Sequence, residues 1–71
     1  MKYAVVIEQT ITGYSAFVPD LPGCVATGAT AEATEAAIAE AIRFHIEGLQ
    51  ADGEPVPPPT SDVRYVDAEA A

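Results

Sequence analysis

The spacing of apolar residues changes period part-way along this chain, and that change predicts its elements. In residues 2–9, KYAVVIEQ, the side chains Tyr3, Val5 and Ile7 alternate with Ala4, Val6 and Glu8. The alternation and the β-branched content predict a strand. Val6 adds a large apolar group to the face opposite Val5 and Ile7. Residues 10–13 carry turn chemistry, and Tyr14, Ala16 and Val18 then share one face while Ser15 and Phe17 share the other. This is a second strand, joined to the first as an antiparallel hairpin.

The stretch that follows, VPDLPGCVATGAT, is dense in punctuation. Pro19 removes a ladder donor and ends the second strand. Pro22-Gly23 predicts a type II turn, because Pro presets the first central torsion and Gly accepts positive φ at the second. A short third strand, residues 24–27, returns beside the second, and Gly28 closes it.

From Thr30 the period lengthens to that of a helix, with Thr30 as N-cap and Glu32 and Glu35 near the positive end of the dipole. Ala31, Thr34, Ile38, Ile42, His45, Ile46 and Leu49 form one stripe flanked by Ala37 and Ala41. Glu32, Ala36, Ala39, Glu40, Arg43, Glu47 and Gln50 form the opposite face, with Glu40 and Glu47 at ion-pair spacing from Arg43. Gly53 is the expected stop. Residues 53–60, GEPVPPPT, contain four prolines and predict an extended spacer. The alternation in DVRYVD, residues 62–67, predicts a fourth strand, and residues 68–71 a frayed tail.

The expected fold is α+β: a small β-β-β-α-β domain, residues 1–67, with one helix on one face of a mainly antiparallel sheet. A right-handed crossover would set the fourth strand beside and parallel to the first. Val6, Phe17 and Val66 then fall on the uncovered face, and contiguous apolar exposure of that kind marks an interaction surface.

Composition strengthens the expectation of self-association. A chain of 71 residues has a small core and needs a disulfide, a metal or a partner copy to support it. One cysteine and one histidine exclude an internal disulfide and a soft-metal cluster within one chain. A dimer or tetramer is left. The net charge of −8 opposes direct nucleic-acid binding and favours a basic partner. The absence of a long apolar run points away from the membrane and to the cytoplasm.

Three constellations invite a catalytic or ligand reading. Cys24 and His45 could act as nucleophile and base, but no acidic orienter accompanies them. Glu8 and Asp20, with Glu40 or Glu47, could gather a divalent cation, although most acids fall on a solvated helix face. Gly23, Gly28 and Thr30 could cradle a phosphate, yet Glu32 and Glu35 already occupy that positive end. Architecture accounts for these residues better in each case, and no cofactor is expected.

The run from Gly13 to Thr30, GYSAFVPDLPGCVATGAT, resembles the hallmark of the HicB antitoxin family. The resemblance extends to the opening strand KYAVVIE, the helix and the G-x-P-x-P-P segment at residues 53–58. It implies a partial RNase H-like fold used for binding rather than catalysis. It also implies that the chain neutralises HicA, a small basic ribonuclease toxin. Pro19, Asp20, Leu21, Pro22, Gly23 and Cys24 match the family loop, and Gly28 and Thr30 match its helix start. The loop is expected to be architectural, with Leu21 as an apolar anchor, Asp20 as a turn cap or acidic contact, and Glu8 as a further contact. Many members add a C-terminal DNA-binding domain, which these 71 residues do not contain. Two other functions stand beside the antitoxin: a stand-alone oligomer with its own ligand, and a metal-dependent nuclease using Glu8 and Asp20.

Overall fold

A computed structural model describes residues 1–69. The element order is β1 (Val6–Gln9), β2 (Tyr14–Phe17), β3 (Val25–Gly28) and α1 (Ala31–Ala51). The strands form an antiparallel sheet in the order β1-β2-β3, with Val6 opposite Phe17 and Phe17 opposite Val25.

Each strand is shorter than its apolar pattern. The pairing of β1 with β2 starts at Val6 and Phe17, because beyond Phe17 the chain turns and the Val18 N–H donates to Cys24 O. Residues 2–5 are left without a strand partner. Tyr3 and Val5 nevertheless pack against the core, as does Ile7. Side-chain burial follows the apolar pattern even where the hydrogen-bond ladder does not.

Helix α1 packs chiefly over β3 and β2 and only lightly over β1. Its expected stripe is the inner face: Thr34 and Ile38 are buried, and Ile42 and Ile46 pack against the core cluster of Ala16, Val18, Leu21, Cys24 and Ile38. The Thr30 side chain accepts from Ala33 N at 3.0 Å, the N-cap its position predicted. At the other end Glu54 N donates to Leu49 O and Gly53 N to Gln50 O, a Schellman arrangement around Gly53. The ion pairs expected between Arg43 and its flanking glutamates do not form; among the described residues the salt bridge is Arg64 to Asp62, with both side chains exposed. Holding two long exposed side chains together costs rotamer entropy that a screened pair barely offsets.

Close approach of helix and sheet requires Gly28. A Cβ added there would lie 2.5 Å from Thr34 Oγ1 and 2.9 Å from Thr34 N. Thr34 is itself fully buried, and its hydroxyl donates to Thr30 O at 2.7 Å. Glycine therefore lets the first turn of α1 lie directly on the end of β3.

Residues 62–67 are a correction to the expected β-β-β-α-β order. They are not a strand: among the described residues the sheet has three strands, and Val63, Tyr65 and Val66 are 45%, 96% and 85% exposed. The position of α1 gives the reason. A strand beyond β1 would lie outside the cover of the helix, so Val63 and Tyr65 would have no second layer to bury against, and a strand is favoured by packing rather than by alternation alone. Val66 therefore does not lie on the open sheet face. The third large apolar residue there is Val25, 64% exposed, in one row with Phe17 and Val6. Of the tail expected to fray, Ala68 and Glu69 are exposed, and residues 70 and 71 lie outside the described residues.

Candidate functional site

The corner between β2 and β3 is built from two consecutive turns. Leu21 N donates to Val18 O at 3.1 Å, closing a turn with Pro19 and Asp20 at its centre. Cys24 N donates to Leu21 O at 3.0 Å, closing a second turn over Pro22 and Gly23. Gly23 has φ +84°, as a type II turn demands at that position. Each proline sits where its fixed φ is already needed and its missing donor leaves no gap.

The double turn sorts its side chains. Leu21 is fully buried and Cys24 nearly so, whereas Pro19, Pro22 and Gly23 are exposed and Asp20 is half-buried. Leu21 is thus an anchor directed into the protein's own core. Burial pushes the Cys24 thiol up from its ordinary range. That disfavours the thiolate a nucleophile requires.

Asp20 is not capping its own turn. Its Oδ2 accepts from the backbone N–H groups of Thr60 and Ser61, each at 2.9 Å, and its Oδ1 from the hydroxyls of Thr60 at 3.1 Å and Ser61 at 2.8 Å. The donors, above all Ser61, hold the carboxyl below the usual aspartate range, because they favour the charged form. A second tie lies upstream, where the Tyr3 hydroxyl donates to Pro57 O. The connector is thereby strapped across the end of the sheet at which β1 begins and β2 ends. Sequence reasoning missed this clamp. Its only linear signal is the Thr60-Ser61 pair after the prolines, whose two N–H groups and two hydroxyls are four donors side by side.

The remaining constellations are not assembled. Among the described residues no three His, Cys, Asp or Glu side chains are grouped closely enough to hold a metal ion. Gly23 lies before β3 and Gly28 at its end, and β3 alone spans about 10 Å, so they share no anion cradle. The open sheet face carries the Val6, Phe17 and Val25 row beside a polar row of Glu8, Ser15 and Thr27. On the outer face of α1, Glu32, Glu35, Glu40 and Glu47 are exposed, and Phe44 among them is 79% exposed.

The model of the HicB-like antitoxin of bacterial toxin-antitoxin systems matches residues 3–70. The chain belongs to the HicB-like antitoxin family. Its fold is similar to a chain of a HicA3 and HicB3 toxin-antitoxin complex, with TM-score 0.74 and 35% identity over 84% of this chain and 70% of that one. A 14.9 kDa protein of the rep-hol intergenic region of Haemophilus phage HP1 is 39% identical over 93% of this chain and 50% of its own length. A UPF0150 protein of Synechocystis is 45% identical over 79% of this chain and 72% of its own. Another, of Helicobacter pylori, is 47% identical over 66% and 65%. The chain thus spans half of the phage relative and about two thirds or more of the others. Among the described residues no helix is long and apolar enough to cross a membrane.

Proposed function

We propose that this HicB-like chain acts without catalysis, by binding a small basic HicA-type ribonuclease toxin and covering its active site. The observation that carries this reading is the likeness to a chain of a HicA3 and HicB3 complex at 35% identity. Charge supports it. The net charge of −8 and the four exposed glutamates along α1 attract a basic protein and speed its encounter. Exposed Phe44 supplies an apolar centre of the kind that anchors interfaces. At the corner, Pro19, Pro22 and Gly23 are the accessible contacts, while Leu21 and Cys24 hold them from below.

Co-expression with a small basic HicA-type ribonuclease tests the reading. A complex burying about 1,600 Å² in total is expected, together with loss of the toxin's RNA cleavage. Glu40→Lys combined with Glu47→Lys should slow association most at low salt. Uninhibited cleavage, with no complex even at low salt, would sink the assignment.

A further inference from the structure

We draw no further inference here: the strongest candidate, the exposed outer face of α1 around Phe44, belongs to the surface already described for the proposed toxin contact.

Discussion

Two proline-containing segments of this small chain behave in opposite ways. The corner at residues 18–24 closes on itself through three backbone hydrogen bonds and sends Leu21 and Cys24 into the core. The connector at residues 53–61 makes no such closure beyond the helix cap, and side chains from elsewhere hold it, Tyr3 at Pro57 and Asp20 at Thr60 and Ser61. Proline stiffens both. Only in the corner does the residue spacing itself specify the conformation, because the donors and acceptors lie three to six residues apart and the turns need no distant partner. The connector's path depends on one carboxylate 40 residues away.

The contrast predicts graded responses to perturbation. Leu21→Ala should have the largest effect: truncating a fully buried leucine costs about 2–5 kcal/mol, comparable to the whole stability of a domain this small, so urea titration should show a chain largely unfolded. Gly23→Ala breaks the corner more gently. The left-handed torsion costs a residue with a Cβ about 1–2 kcal/mol, and nothing crowds the site, so the urea midpoint should fall while the fold persists.

Asp20→Asn should instead separate the regions. It should leave the corner folded and release the connector, seen as faster proteolysis and amide exchange at residues 56–61 with little change in the helix. Acid should do the same. Because the folded-state pKa of Asp20 lies below its ordinary value, the clamp's contribution is fully present above about pH 4. It is lost as pH falls through the lowered folded value, and Asp20→Asn should remove that acid-dependent release. Smallest of all, Tyr65→Ser should change the folding free energy by less than about 0.5 kcal/mol, as for an exposed site away from the core. In equilibrium unfolding of dilute protein, a larger loss would show that the C-terminal segment is packed after all.

Most of the fold was legible because its signals are local. The hairpin faces, the Thr30 cap, the Pro22-Gly23 turn, the helix stripe and the Gly53 stop each depend on residues within a turn or two of one another. The corner was legible also as a family signature. Strand ends were not, since β1 stops at Val6 only because β2 turns away after Phe17. The fourth strand failed for a similar reason: DVRYVD has the right period, but the period says nothing of whether a helix will cover it. Val25 was missed on the open face because its neighbours Phe17 and Val6 come from other strands, and only register sets the three in a row.

By itself, then, the sequence determined the three-stranded sheet and its capped helix, the double-turn corner, the acidic surface and the resemblance to HicB antitoxins. Tertiary structure alone decided that Asp20 clamps the connector, that Leu21 anchors the corner inward, and that residues 62–67 remain outside the sheet. The physical reason is range. Turns, caps and amphipathic faces are set by torsions and contacts between near neighbours, whereas a clamp across 40 residues or an uncovered sheet edge depends on where the packed layers end.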